Sequence, residues 1–195
     1  MFSNIDSPSP ERPSSKSPSL RVLQLAYELF DFYTTDSGDP VAVRKLSPNV
    51  ALEFNGRGLT LKGILAEELL KRHGLVLTDK AFKEASTILS AEAARHPRDV
   101  ALRVGAVGDC LYVDLGDMSE EVIEISSQGW SVVKNSPIPF LRTVLTKPLE
   151  KPVRGGNTED LFRFFNIPLH MQDLFLGVLV ASFFEKMPHP VIQIQ

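Results

Sequence analysis

Apolar positions between residues 20 and 97 recur mostly at the spacing of an α-helix. Leu20, Leu23, Tyr27 and Phe30 follow one another near the 3.6-residue period, which predicts a helix over residues 20–33. Two further stripes predict helices over residues 59–72 and 78–95. Their apolar members are Leu61, Ile64, Leu65 and Leu69 in the first, and Phe82, Ala85, Leu89 and Ala93 in the second.

The ends of these helices carry recognisable signals. Gly74 follows the first stripe and can adopt the left-handed conformation that ends a helix, while Thr78 is a predicted N-cap for the next helix. Between the predicted helices, residues 41–45 and 49–54 are short and rich in apolar residues, which favours a small β-hairpin.

Beyond residue 98 the apolar positions alternate with a period of two, which is typical of half-buried strands. Strands are predicted at residues 100–104 and 111–115, joined by a loop over 105–109. The alternation continues over 121–126 and 130–134, on either side of a turn at Gln128 and Gly129. Residues 100–134 are therefore predicted to form an antiparallel β meander.

The segments outside the meander are distinguished by proline and glycine. Residues 135–157 contain enough of both to predict an extended crossing segment. Helices are predicted over 161–165, capped by Asn157 or Thr158, and over 171–185, followed by a terminal strand at 191–194. Residues 1–19 combine prolines and serines with few large apolar groups, which predicts a disordered tail.

These patterns together predict an α+β fold. Residues 20–97 form a mainly helical N-terminal half, and residues 98–195 hold the β meander, the C-terminal helices and the terminal strand. Hydrophobic residues make up 43% of the 195 residues and charged residues 23%, as in ordinary globular proteins. The most apolar stretch, residues 174–184, is too short to span a bilayer, so no membrane association is predicted.

Charge and cysteine content limit the function classes. A formal net charge of −3 argues against binding nucleic acid through the whole surface, so any DNA contact must be local. Cys110 is the single cysteine, which excludes an internal disulfide. Without a signal-peptide pattern at the N-terminus, the sequence predicts a cytoplasmic protein.

No complete catalytic motif is present in the sequence. Gly56 and Gly58 lack the lysine of a phosphate-binding loop, and the histidines have no second ligand at zinc spacing. We therefore expect no enzyme activity, no cofactor and no metal site. Carboxylates leave one alternative open, a metal-dependent enzyme using Asp114 and Asp117 with nearby glutamates. In the simpler interpretation Asp114 lies on the polar face of its strand and Asp117 closes a turn.

A basic segment follows the meander and is the predicted nucleic-acid contact. Its acidic residue is Glu150, and its five cations are Lys134, Arg142, Lys147, Lys151 and Arg154. The order of helix, turn, helix and hairpin over residues 59–115 also matches a winged-helix DNA binder. Against this, acidic residues offset the cations of the predicted recognition helix, at 78–95. A stand-alone winged-helix-like protein is therefore the alternative function.

A series of short motifs runs in order along the second half of the chain. They are Leu102-Arg103-Val104, Tyr112-Val113-Asp114-Leu115-Gly116-Asp117, Gly129-Trp130, Pro137-x-x-Phe140-x-Arg142, Pro148-Leu149, Gly155-Gly156, Phe165-Asn166-Ile167 and Pro188-His189-Pro190-Val191-Ile192. In this order they resemble the N-terminal region upstream of the Walker A loop in phage and mobile-element ATPases, which in turn resemble replicative primase-helicases. The resemblance covers residues 22–195 and is strongest from residue 100.

The resemblance implies a role in DNA replication or in the mobility of a mobile element. In that family the phosphate-binding loop follows the last strand, whereas this sequence stops at Gln195, so no ATP-binding residue can be assigned here. The expectation is a non-catalytic accessory domain or a truncated fragment of such an ATPase. Its expected partners are a separate ATPase half or a second copy, joined through the strand at 191–194.

Overall fold

The structure, a computed structural model, describes residues 17–184 and Met187. It confirms the predicted α+β class, with helices and two four-stranded sheets. Residues 1–16 of the predicted tail and the predicted strand at 191–194 lie outside the described residues. For residues 17–19 the predicted tail is wrong, because Ser17 caps a helix that begins at Pro18.

The first sheet and three helices enclose the main hydrophobic core. The helices are α1 (Pro18–Leu29), α2 (Leu61–His73) and α3 (Asp79–Ala93). The sheet has the order β1-β2-β3-β8, with β1 (Phe30–Thr34), β2 (Pro40–Arg44), β3 (Ser47–Glu53) and β8 (Phe140–Leu141). The predicted hairpin at 41–54 is confirmed as the antiparallel pair β2 and β3. The last strand, β8, comes from the second half of the chain and pairs parallel with β3.

The first predicted helix is shorter than its periodicity indicated. It ends at Leu29, and Phe30–Thr34 form β1 instead of the last helical turn. Phe30 and Phe32 are buried while Asp31 between them is exposed, which is the two-residue alternation of a strand. Pairing with β2 over the whole of β1 satisfies backbone groups that a longer helix would have bonded internally.

The other two helices begin and end within two residues of the predicted bounds. The side chains of Thr60 and Thr78 accept backbone hydrogen bonds as N-caps, and Gly74 ends α2 with a φ of 64°. The buried stripe of α3 faces α1 and β1. α3 is the helix that a winged-helix unit would use for recognition, and its apolar face is buried in the main core.

The second sheet is the predicted antiparallel meander. Its order is β4-β5-β6-β7, with β4 (Val104–Val107), β5 (Cys110–Asp114), β6 (Val122–Ser126) and β7 (Gly129–Val133). The predicted strand at 100–104 and the loop over 105–109 are wrong, because β4 begins at Val104 and only Gly108 and Asp109 separate it from β5. Gly105 lies inside β4, where a Cβ would stand 2.9 Å from the Cβ of Ala101 and 3.0 Å from Ile138.

The C-terminal part is less regular than predicted. A 3₁₀ helix spans Thr158–Arg163, with the Asn157 side chain accepting from the backbone N–H of Glu159. A second 3₁₀ turn, Leu169–Met171, leads into α4, which spans Gln172–Ala181 and so ends before the predicted residue 185. Among the described residues, no helix combines the length and the apolar character needed to cross a membrane.

Candidate functional site

The acidic turn after β5 and the basic segment after β8 interlock. Asp114 is the last residue of β5 and its side chain is fully buried, while Arg142 follows β8 directly. Arg142 donates Nε and Nη2 to the two carboxylate oxygens of Asp114, at 3.0 and 2.7 Å, and Nη1 to the carbonyl of Asp117 at 2.6 Å. This two-pronged geometry is the strongest form of an arginine–carboxylate pair, and here it joins the second sheet to the crossing segment.

A second arginine strengthens the same junction. Arg103 donates Nη1 to the carbonyl of Asp114 at 2.9 Å and Nη2 to the carbonyl of Lys147 at 2.7 Å. Gly116 makes this approach possible, because a Cβ there would stand 2.6 Å from Arg103 Nη1 and 2.8 Å from the Lys147 carbonyl. The φ of Gly116 is 69°, which also favours glycine.

Asn49 ties the two sheets together from the other side. It is buried in β3, donates Nδ2 to the carbonyls of Glu120 and Lys134 at 2.8 and 2.7 Å, and accepts from the N–H of Ser136 at 2.8 Å. Sequence reasoning missed this residue. The available signal was an amide inside an otherwise apolar strand, which requires partners when it is buried.

An exposed charge network borders the junction. Asp117 accepts hydrogen bonds from the N–H and hydroxyl of Ser119 at 3.0 and 2.6 Å, and these lower the pKa of the Asp117 carboxyl. Lys151 forms an ion pair with Glu121. The hydrogen bond of that pair lowers the pKa of Glu121 and raises the pKa of Lys151.

This arrangement bears on the metal alternative. Both carboxylate oxygens of Asp114 are occupied by Arg142, and Asp117 is turned toward Ser119. Within residues 17–184 and at Met187, no group of three histidine, cysteine or carboxylate side chains has the geometry to hold a metal ion. The carboxylates are thus arranged to accept hydrogen bonds from the chain itself.

The five predicted nucleic-acid residues occupy different environments. Arg142 is largely enclosed in the Asp114 pair, and Lys151 is paired with Glu121. Arg154 stacks over the Trp130 ring, 4.7 Å from its centroid, and donates to the Trp130 carbonyl at 2.8 Å. Lys134 and Lys147 are exposed and contribute their backbone carbonyls to Asn49 and Arg103. The structure brings Arg142 and Lys151 beside carboxylates.

The region after residue 158 exposes large apolar side chains. Phe175 of α4 is buried against Phe162 and Phe165, with ring centroids 6.3 and 5.6 Å away. Other apolar side chains of the region face outward, and we call four of them the C-terminal apolar surface: Phe164 (84% exposed), Leu169 (84%), Leu174 (60%) and Val180 (59%). Exposed apolar side chains that form one contiguous patch mark interaction surfaces in proteins.

Comparison with known proteins adds no relative. No known protein family matches the chain, and no significant match exists among curated proteins or solved structures.

Proposed function

We propose that this chain is a non-catalytic accessory domain whose role is to bind a protein partner. The observation that carries the proposal is the C-terminal apolar surface, in which Phe164, Leu169, Leu174 and Val180 are each more than half exposed. Leaving such groups in water forgoes about 1.5–3 kcal/mol for each large side chain, which burial against a partner would recover. The carboxylates and arginines of the junction are meanwhile engaged with one another.

The partner class follows from the sequence resemblance. We propose that the domain binds the ATPase core of a phage or mobile-element replication protein in the cytoplasm, and thereby serves DNA replication. In this proposal nucleotide hydrolysis belongs to the partner, and this chain supplies docking and positioning. A second copy of the chain is the competing occupant of the apolar surface.

The test replaces one apolar contact by a charge. Leu174→Asp is compared with the control Val76→Asp. Val76 is also an exposed apolar residue, at 80%, but it lies between α2 and α3, outside the C-terminal apolar surface. Binding of an ATPase core from the same source is measured by calorimetry, and self-association by sedimentation. We expect Leu174→Asp to weaken binding about tenfold or more, as at interface hot spots, and Val76→Asp to leave it unchanged.

Two outcomes would contradict this proposal. If no such core binds, the assignment of the partner fails. If Leu174→Asp affects only sedimentation, the apolar surface joins two copies of the chain.

A further inference from the structure

The outer edge of β4 has backbone groups that no other strand of residues 17–184 uses. Within this part of the chain β4 is a terminal strand of its sheet and pairs with β5. The N–H of Asp114 donates to the carbonyl of Arg103 at 2.9 Å, so Arg103 directs its backbone groups toward β5. Because this direction alternates along an antiparallel strand, Val104 and Ala106 direct their N–H and C=O groups outward.

The opposite edge of the same sheet is closed by side chains. On β7 the carbonyl of Trp130 accepts from Arg154, and just beyond β7 the carbonyl of Lys134 accepts from Asn49. Natural sheets commonly protect an edge in this way against added strands. The described residues place no comparable side-chain donor on the outward carbonyls of Val104 and Ala106.

A cleft of about 620 Å³ runs beside the open edge. Ala106 and Ile138 both line it, although Ile138 packs on the face of the sheet to which Gly105 belongs and Ala106 lies on the other face. Leu111 of β5, which pairs with Ala106, also lines the cleft, so the cleft extends from the Ala106 face of the sheet around the edge of β4 to Ile138. Its far wall includes the turn at Thr35 and Ser37.

The lining of the cleft defines what it would accept. The two charged lining residues, Asp36 and Asp99, are both acidic and exposed. The apolar walls come from six residues: Val100, Ala106, Leu111, Ile138, Phe184 and Met187. An extended peptide alternates its side chains, so one side can enter an apolar wall while basic groups meet the acidic rim.

We infer that an extended segment of a partner protein, with apolar residues alternating with lysine or arginine, adds to β4 as a fifth strand of the second sheet. Its backbone bonds to Val104 and Ala106, its apolar side chains occupy the cleft, and its cations face Asp36 and Asp99. This site does not depend on the C-terminal apolar surface and shares none of the four residues that define it.

The experiment selects random displayed peptides on the full chain and then measures the winners by calorimetry. We expect enriched peptides to alternate apolar and basic residues. Ala106→Pro should lower the affinity of the selected peptides about tenfold, because the substitution removes an outward N–H. Proline is tolerated at such an edge position, so β4 still pairs with β5. Ala106→Val keeps the N–H and is the matched control, and Asp99→Asn should weaken binding about threefold at low salt.

Each result decides the inference. Enrichment of alternating basic peptides, with loss in Ala106→Pro and retention in Ala106→Val, supports it. Failure to enrich any peptide, or winners that bind Ala106→Pro equally well, would overturn it. A synthetic peptide with the sequence of residues 188–195 is measured in parallel. If it binds more tightly than the basic peptides, the occupant is the chain itself and the assignment to a partner is wrong.

Discussion

The buried carboxylate of Asp114 and its ion pair with Arg142 give the clearest prediction for a single residue. Asp114→Ala would leave the Arg142 guanidinium, only 13% exposed, without its carboxylate. We expect the free energy of unfolding to fall by about 3 kcal/mol, as when one partner of a buried pair is removed. Urea denaturation followed by circular dichroism measures this loss.

The neighbouring acid is the control for Asp114. Asp117→Ala removes only the bonds from Ser119 and keeps the backbone carbonyl that Arg142 uses, so its cost should be about 1 kcal/mol or less. Equal losses in the two variants would show that the pair with Arg142 contributes nothing special. Magnesium that stabilised the natural chain but not Asp114→Ala would favour the metal alternative.

Two tyrosines should ionise unusually late. The hydrogen bond from Tyr27 to Glu92 at 2.5 Å raises the pKa of Tyr27 to about 12, and burial, with the bond to Glu124, raises that of Tyr112 to about 12. Because the folded pKa is raised above 10.0, this contribution to stability is complete below pH 10 and is lost as the pH rises toward 12.

A spectrophotometric titration of tyrosine ionisation tests this shift. Tyr27→Phe and Tyr112→Phe should each remove one late-titrating group from the folded chain. In denaturant the remaining tyrosines should titrate together near their ordinary pKa. Titration of both groups near pH 10 in the folded state would contradict the proposed contacts.

At the level of elements, the turn after β5 depends on a glycine more than the turn before it. Gly108 and Gly116 both have positive φ values, 59° and 69°. A Cβ at Gly108 would meet nothing within 4 Å, whereas one at Gly116 would collide with Arg103 and the Lys147 carbonyl. Gly108→Ala should cost about 1–2 kcal/mol for the left-handed backbone alone.

Gly116→Ala should cost clearly more than Gly108→Ala. The additional loss comes from displacing Arg103, whose two hydrogen bonds hold the crossing segment to the second sheet. Thermal unfolding of the two variants under identical conditions gives the difference directly. If both variants lowered the melting temperature by the same amount, displacing the crossing segment would cost no stability.

The elements that the sequence predicts well are those with local causes. The caps at Gly74 and Thr78 and the last three strands of the meander depend on neighbours in the chain, and the structure has them where they were expected. The predicted end of α1 was wrong because Phe30 fits the apolar pattern of a helix and of a strand equally well. The strand forms because Phe30–Thr34 pair with β2.

The candidate site was harder to foresee than the elements. The basic segment was recognised as a group of cations, but its pairing with acids depends on a contact between Asp114 and Arg142 that no local pattern specifies. Asn49 likewise contacts residues far along the chain, at Glu120, Lys134 and Ser136. Long-range polar contacts of this kind follow from the assembled fold.

At the scale of the whole molecule, the charge balance is slightly acidic. Its net charge is −3, and Arg142 and Lys151 are paired with acids. We expect labelled duplex DNA to show little change in fluorescence anisotropy on addition of the chain at about 200 mM salt. The winged-helix alternative instead predicts binding that weakens steeply between about 50 and 200 mM salt.

Two charge reversals distinguish these outcomes. Lys147→Glu changes an exposed residue of the basic segment, and Lys80→Glu changes an exposed residue at the start of α3. Loss of DNA binding in Lys147→Glu alone would assign contact to the basic segment, while loss in Lys80→Glu would assign it to the helix pair. Either result would replace the proposal of a protein-binding accessory domain.

The parallel pairing of β8 with β3 has a consequence for synthesis on the ribosome. Val50 of β3 pairs with Phe140 of β8, which is translated after the whole meander. Until then the first sheet lacks its fourth strand. During that interval the edge of β3 is open to any neighbouring nascent chain. The first sheet in the chain is therefore the last to be completed, because all four strands of the second sheet precede residues 140 and 141.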